Sequence, residues 1–528
     1  MGFTTLDYLI VAAYLIGIAA VGILTGGKQK STHDYFLGGR TIPWWAVCFA
    51  VVATETSTLT FISIPGLAYL TNLNFLQVTF GYLIGRIVIS FLFLPAYAKG
   101  ELQTAYAFLN NRFGPKARNI ASITFMFTRL FADGVRLFAT AIPLAILMRG
   151  WQSFTNVSNE QIYIISIVIM AAITLVYTYI GGVRAVIWTD VIQMFIYLAG
   201  AIAAVVVILS ELPDGLQTML QSAKPTGKLA LINLGFDKSL SGFISTPYTL
   251  VASILGGAFL SMASHGTDQL IVQRLLTVRT VRDSQRALIG SGIIVIVQFT
   301  IFLFIGLLLY AYYNGASLTD LGLLKADEIF PKFIIERIPT GLSGLIIAGL
   351  LAAAMSTLSG SVNSLASATM LDIYKPYFGK NTSEAKDLLL SRIVTLGWAV
   401  LLVCMAIFFI YSGSTVLVET ALGVASFTYG GLLGMFLLGV INKKAGQVDA
   451  IAGFVVGVIT MIAVVLSKSV GWTWYTVIGS TVTVVIGSLV AMIRLKSPIS
   501  APKAHPPMGE IQNPRLPKRS GGQAKSKI

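Results

Sequence analysis

The chain has 528 residues and a formal net charge of +15, yet only 11% of its residues are charged and 55% are hydrophobic. A soluble globular domain carries about 25% charged residues, so a water-soluble enzyme is excluded. A disordered chain would be polar and charged and is excluded too.

A hydrocarbon core of about 30 Å takes about 20 apolar residues as helix. Thirteen runs meet that length: 5–25, 44–70, 75–98, 117–148, 160–180, 186–211, 246–273, 285–313, 340–371, 388–411, 417–440, 448–467 and 473–493. They are too long and too evenly apolar for the alternating strands of a barrel. The expected fold class is an all-α polytopic membrane protein. The first run has no basic stretch before it, Asp7 at its start and no small-residue cleavage site after it, so it reads as a span rather than a removed signal.

An odd number of spans puts the termini on opposite sides, and the lysines and arginines decide which. With the C-terminus inside, the cytoplasmic face gathers Lys28, Lys30, Arg40, Lys99, Arg112, Lys116, Arg118, Arg279, Arg282, Arg286, Lys443, Lys444 and the tail from Arg494 to Lys527. The other face keeps Arg149, Lys224, Lys228, Lys238, Lys325, Lys332, Arg337 and Lys468. This asymmetry predicts an N-terminus outside and a C-terminus in the cytoplasm, in the plasma membrane. It accounts for the net charge without nucleic acid, for which no basic folded domain exists.

An ionised side chain at mid-membrane costs about 2.5–3.5 kcal/mol on insertion scales. Polar residues inside the runs are therefore the informative ones. The second run holds Thr54-Glu55-Thr56-Ser57-Thr58-Leu59-Thr60, then Pro65-Gly66. Hydroxyls can bond back to their own helix, but a carboxylate cannot, so a helix broken near 53–57 is expected, its freed carbonyls facing a cavity. Arg86 in the third run reads as structural. In the fourth run Arg129 and Asp133 stand one turn apart with Arg136 nearby, either as a self-neutralising pair or as a substrate contact. Gly181-Gly182 marks a turn before the sixth run, and Asp190 beyond it either neutralises a cation or caps a helix.

Near the inner end of the seventh run, His265-Gly266-Thr267-Asp268-Gln269 precedes Gln273-Arg274. Helix capping and interface anchoring account for these residues, with His265 a satisfied core side chain. The ninth run holds Ala352-Ala353-Ala354-Met355-Ser356-Thr357-Leu358-Ser359-Gly360-Ser361, and Ser356, Ser359 and Asn363 share one helical face. Such oxygens suit a small hard cation; small residues equally serve close helix packing. The outer loops 212–245 and 314–339 are expected to hold short helices or cover the outer mouth. The segment after Ser497 is rich in Pro, Gly, Lys and Ser and is expected to be a disordered cytoplasmic tail. Cys48 and Cys404 lie in apolar runs, and three histidines make no metal-ligand cluster.

Five landmarks in order carry a resemblance. They are Asp34-Tyr35-Phe36-Leu37-Gly38-Gly39-Arg40, the run 54–66, Tyr179-Ile180-Gly181-Gly182 leading to Trp188-Thr189-Asp190, Thr267-Asp268-Gln269 through Gln273-Arg274, and the run 352–361 ending in Asp372-Ile373-Tyr374. Over about residues 5–493 the chain resembles the sodium/solute symporter family, which contains sodium/glucose, sodium/sialate, sodium/proline and sodium/monocarboxylate transporters. The resemblance implies a LeuT-type core of two inverted five-helix repeats at 44–211 and 246–440. A first peripheral span and inner loop (1–43), two peripheral C-terminal spans (448–493) and a tail (494–528) would frame it.

The resemblance also implies a sodium site on the carbonyls of Ala53, Thr56 and Ala353 and the hydroxyls of Ser356 and Thr357. A second sodium, held by some members, would fall on Asp190, Ser356, Ser359 and the position of Gly360. Those members have serine where Gly360 offers no side-chain oxygen, so one transported sodium is expected. The implied substrate pocket takes Glu55, Ser57, Thr60, Phe75, Thr79, Arg129 and Asp133. The arginine that sialate transporters use for a carboxylate falls on Ala132, whereas Arg129 and Asp133 resemble the basic-and-acidic pair of the sugar carriers. Glu55 stands where those carriers have asparagine.

The expectation is a non-enzymatic, sodium-coupled symporter in the lipid bilayer. It would import a small polar organic molecule (a sugar, polyol or sugar acid) by alternating access, with sodium as cargo and no organic cofactor. A proton-coupled carrier relaying through Glu55 or Asp190, and a monocarboxylate or amino-acid symporter, are the alternatives.

Overall fold

A computed structural model of the chain describes residues 4–99, 102–149, 156–323, 325–379, 381–412 and 415–496. The tail expected after Ser497 lies outside the described residues. Those residues form helices and loops, with no strand among them. The principal helices are α1 (Thr5–Gly26), α2 (Trp44–Glu55), α3 (Thr58–Leu70), α4 (Leu76–Leu92), α5 (Pro115–Arg149), α6 (Asn159–Glu211) and α7 (Leu250–Gly266). They continue with α8 (Gln269–Leu275), α9 (Val281–Tyr312), α10 (Leu342–Ala368), α11 (Glu384–Ser412), α12 (Thr415–Ile441), α13 (Gln447–Ser467) and α14 (Tyr475–Lys496).

Nine helices among the described residues are long and apolar enough to cross a membrane, or ten with one bent pair. That is fewer than the thirteen runs, and backbone breaks explain part of the difference. The second run divides into α2 and α3 because Thr56 (φ −82, ψ 103) and Ser57 (φ −91, ψ 165) are extended. The fifth and sixth runs continue as α6, interrupted at Gly182 (φ 54, ψ −151). Only glycine takes that conformation without strain, and a Cβ there would meet the Tyr35 backbone.

The seventh run holds a break where its sequence predicts a helix end with a cap. α7 ends at Gly266, Thr267 and Asp268 leave the helix, and α8 restarts with the Asp268 carboxylate accepting from the Leu270 N–H at 2.9 Å.

The most buried of the membrane-length helices is α10, with nearly every residue from Ser343 to Ala368 out of solvent. It packs on α1, α5 and α6. Gly22 and Gly26 of α1 let that helix lie directly on Tyr177 and Gly181 of α6, where any Cβ would collide. Small residues commonly mediate such close approach inside membranes. The Asp7 carboxylate of α1 caps α10, accepting from Gly341 N (2.8 Å), Gly344 N (2.8 Å) and Ser343 Oγ (2.6 Å). An anion there is favoured by the helix dipole.

The loops divide between two faces as alternating spans require. On one face Ile42 N donates to Thr277 O, Arg40 to Leu102 O, and Arg112 to the carbonyls of Gly439, Asn442 and Ala445. Arg494 pairs there with Asp449 at 2.8 Å. On the opposite face Lys228, from the 212–245 loop, caps the end of α3 by donating to Tyr69 O (2.5 Å) and Thr71 O (3.1 Å). Burial lowers the pKa of that ammonium; the two carbonyls and the Tyr310 ring 4.2 Å away stand in for water. The short helices Leu216–Ala223 and Leu240–Ser245 occupy this loop, and Ile329–Arg337 the 314–339 loop.

Candidate functional site

The break between α2 and α3 is where the backbone ladder stops. Its last rung is Thr56 N–H to Val52 O at 3.1 Å, and Ser57 then restarts a helix by accepting from Thr60 N at 3.3 Å. The carbonyls of Ala53 to Thr56 lose the i+4 donor that a continuous helix would supply, and the ladder resumes with Phe61 N–H to Ser57 O at 3.1 Å. Thr58 Oγ1 donates to Leu350 O of α10 at 3.0 Å, which fixes the break against that helix. The Thr56 hydroxyl is held by Gln298 Nε2 (2.6 Å) and Tyr197 OH (3.3 Å) while donating to Val52 O (3.0 Å).

On α10, Thr357 Oγ1 donates to Ala353 O at 3.1 Å and Ser356 Oγ donates to Asp190 Oδ1 at 2.7 Å. Both hydroxyls have spent their hydrogens on protein acceptors, so their lone pairs remain to face a cation. Ala53, Thr56, Ser356 and Thr357 are all buried.

Asp190 lies beside this site, wholly buried. The Arg274 guanidinium donates to Asp190 Oδ2 from Nη2 (2.9 Å) and Nε (3.2 Å), and Thr54 Oγ1 donates to the same oxygen at 3.4 Å. Asp190 thus faces a cation built into the chain, the Arg274 guanidinium. Gly360 makes room for it, because a Cβ there would lie 2.5 Å from Arg274 Nη2. Ser359, grouped with Asp190 by the resemblance, donates instead to Ser356 O at 3.1 Å.

A cavity of about 170 Å³ opens between the two breaks. Thr54 and Glu55 of α2, Arg129 and Arg136 of α5, Ser261 and His265 of α7 and Tyr429 of α12 line it. Its charges pair internally. Glu55 binds Arg86, which also donates to Ser291 Oγ at 2.7 Å. Arg129 meets Asp268 at 2.5 Å and Asp133 at 3.4 Å, and Arg136 meets Asp133 at 3.1 Å. Three guanidinium groups thus face three carboxylates. Buried charges persist only with such partners. Arg136 keeps about a third of its side chain open, at 32%. His265 Nε2, buried, has no hydrogen-bond partner among the described residues and stands 3.6 Å from the Glu55 carboxylate.

Of the expected substrate residues, the fold brings Glu55 and Arg129 to the cavity wall, with Asp133 directly behind. Ser57, Thr60, Phe75 and Thr79 are not among its lining residues. Ser57 is spent as the α3 cap, with Thr60 Oγ1 3.2 Å from its hydroxyl. Phe75 stacks on Phe299 at 5.3 Å. Thr79 donates to Leu76 O at 2.7 Å. Sequence reasoning missed Ser261, Tyr429 and the place of His265 on the cavity wall, and named Arg136 only as a neighbour of the Arg129–Asp133 pair. The one available signal was the polar stretch 264–268, which marks the second break.

Comparison with known proteins follows the same outline. The sequence model described as "Sodium:solute symporter family" matches residues 35–457. A sodium/sialic acid symporter of Aliivibrio fischeri is 29% identical over 489 residues, covering 93% of each chain. A sodium/sialic acid symporter of Proteus mirabilis is 27% identical over 490 residues, covering 93% of this chain and 95% of that one. The solved structure of a substrate-bound, outward-open Na⁺-coupled sialic acid symporter superposes with a TM-score of 0.81 at 26% identity, covering 93% of this chain and 98% of its own.

Proposed function

The chain belongs to the sodium:solute symporter family, with the LeuT-type fold of Na⁺ symporters, and from that premise we propose that it imports a sugar acid or closely related polyhydroxy solute together with one Na⁺. The relatives named for sialic acid support this cargo class. So does the cavity, whose ion pairs leave little net charge while Arg136 on its wall keeps about a third of its side chain open, at 32%. At about 170 Å³ it lies below the roughly 300–1,000 Å³ of sites for drug-sized ligands, which fits a small solute.

The observation that carries the reading is the broken α2–α3 helix fixed against the hydroxyl face of α10, with the cavity beginning at the neighbouring Thr54 and Glu55. Na⁺ enters between the break and α10. The carbonyls of Ala53, Thr56 and Ala353 and the hydroxyls of Ser356 and Thr357 replace its water, as oxygen ligands suit a hard cation. Ordering the end of α2 around the ion sets Thr54 and Glu55 for the solute, so each cargo raises the affinity for the other. Rocking of one helix group against the other then exposes both to the cytoplasm. The membrane potential adds about 2.3 kcal/mol per charge per 100 mV. Stoichiometry is one Na⁺, because Arg274 already neutralises Asp190.

The repeats 44–211 and 246–440 suit this scheme, since the first helix of each is broken, at 56–57 and at 267–268. Paired interruptions in the two halves of a transporter point to its binding site. Uptake into proteoliposomes under an imposed Na⁺ gradient, across a panel of sugar acids, neutral sugars, polyols and amino acids, tests the proposal. Saturable uptake of a sugar acid that needs Na⁺ supports it; uptake that follows pH and ignores Na⁺ overturns it.

A further inference from the structure

Away from the transport site, on the face that carries Arg40 and Arg112, three helices leave a notch of about 410 Å³. Trp44 opens α2, Phe91 ends α4, and Arg282, Arg286, Ile289 and Gly290 belong to the first turns of α9. Gln285 ties the floor together by donating to Ser90 O at 2.9 Å. Gly290 lets α9 lie close against α2, since a Cβ there would meet Cys48 Sγ at 3.1 Å.

The two ends of the notch differ in chemistry. The rim is basic: Arg286 is 64% exposed, and its nearest carboxylate, Asp283, is 3.9 Å away and accepts from Thr280 Oγ1 at 2.8 Å. The floor is apolar and runs toward the lipid-facing side. Phe91 (66% exposed) lies one turn from Val88, and Ile289 lies one turn from Ile293 (54% exposed). Trp44, 39% exposed, stands at the boundary, where indoles settle between headgroups and acyl chains.

We propose that this notch holds one anionic phospholipid. Its phosphate sits on Arg282 and Arg286, its glycerol beside Trp44, and an acyl chain along Ile289–Ile293 and Phe91–Val88. Guanidinium forks match phosphate geometry, and basic pockets between spanning helices select anionic headgroups. Two arginines against one carboxylate leave a net positive rim, which favours an anionic over a zwitterionic lipid. The occupant also braces α9, the helix whose Ser291 holds Arg86 and whose Gln298 holds Thr56.

The test is native mass spectrometry and thermal melting of the delipidated full-length protein, with phosphatidylglycerol, phosphatidylcholine and inorganic phosphate as separate probes. The expected result is one retained phosphatidylglycerol and a raised Tm in the wild type and in R279Q, a charge control on the same face. In R282Q/R286Q, affinity for that lipid falls about tenfold or more, and its cooperative melt reports that it is folded. Equal retention by wild type and R282Q/R286Q overturns the proposal. So does equal retention of phosphatidylcholine, or a Tm response to inorganic phosphate matching that to the lipid, which would reduce the notch to a phosphate contact.

Discussion

The two breaks use one backbone device with opposite chemistry. At 56–57 the interrupting residues are Thr and Ser; the nearest formal charge, Glu55, is turned to Arg86, so the freed carbonyls carry no fixed cation. At 267–268 the interrupting residue is an aspartate that caps α8 itself and pairs with Arg129. On our proposal the first break leaves its oxygens for a mobile ion, whereas the second has its cation built into the chain. On that reading, an arginine already in reach is what makes a break a structural joint rather than an ion site. Asp190 with Arg274 repeats the second solution a few ångströms from the first.

Removing the built-in partner has the largest expected effect. Asp268→Ala leaves Arg129 buried beside Asp133 alone and removes the α8 cap; breaking one partner of a buried pair costs about 3–5 kcal/mol. The expected outcome is a marked fall in Tm and loss of uptake, and Asp268→Asn, which can still cap, recovers part of the Tm but little uptake. Next come Ser356→Ala and Thr357→Ala, which each raise the Na⁺ concentration for half-maximal uptake about tenfold, equivalent to about 1.4 kcal/mol; Thr357→Ala changes Tm little, while Ser356→Ala also lowers it because the buried Asp190 carboxylate loses a donor. Glu55→Gln is smaller for sodium and larger for solute: KM rises a little over tenfold, at the low end of what a hydrogen bond to a charged group is worth, about 1.5–3 kcal/mol, while half-maximal Na⁺ stays within about twofold. Thr79→Val, outside the cavity, leaves both within about twofold. A Thr79 effect as large as that of Glu55 would move the solute site toward α4.

The first break was legible because Glu55 sits in a polar run where a carboxylate has no backbone donor to satisfy it. The second was not, because Gly266-Thr267-Asp268 at the end of an apolar run reads as an ordinary helix end and a new cap. The ion pairs were half legible. Arg129 and Asp133 advertise themselves by spacing, but the shorter Arg129 contact goes to Asp268, 139 residues along the chain. Arg86 and Glu55 sit in different helices, and only packing joins them. Gly360 marked the change at the second cation position, but its reason, room for Arg274, exists only in three dimensions. Phe75 and Thr79 were placed in the pocket by resemblance, and the fold spends them on aromatic stacking and a local hydroxyl bond.

Thermal stability of the purified protein against Na⁺, at constant ionic strength with choline as the replacement, tests the central claim most directly. A ligand at about 100 times its Kd stabilises by about 2.7 kcal/mol, so the wild type melts higher in Na⁺ than in choline. Glu55→Gln keeps this shift and the double variant Ser356→Ala/Thr357→Ala loses it. A double variant that keeps the full Na⁺ shift would contradict a cation site between the α2–α3 break and α10.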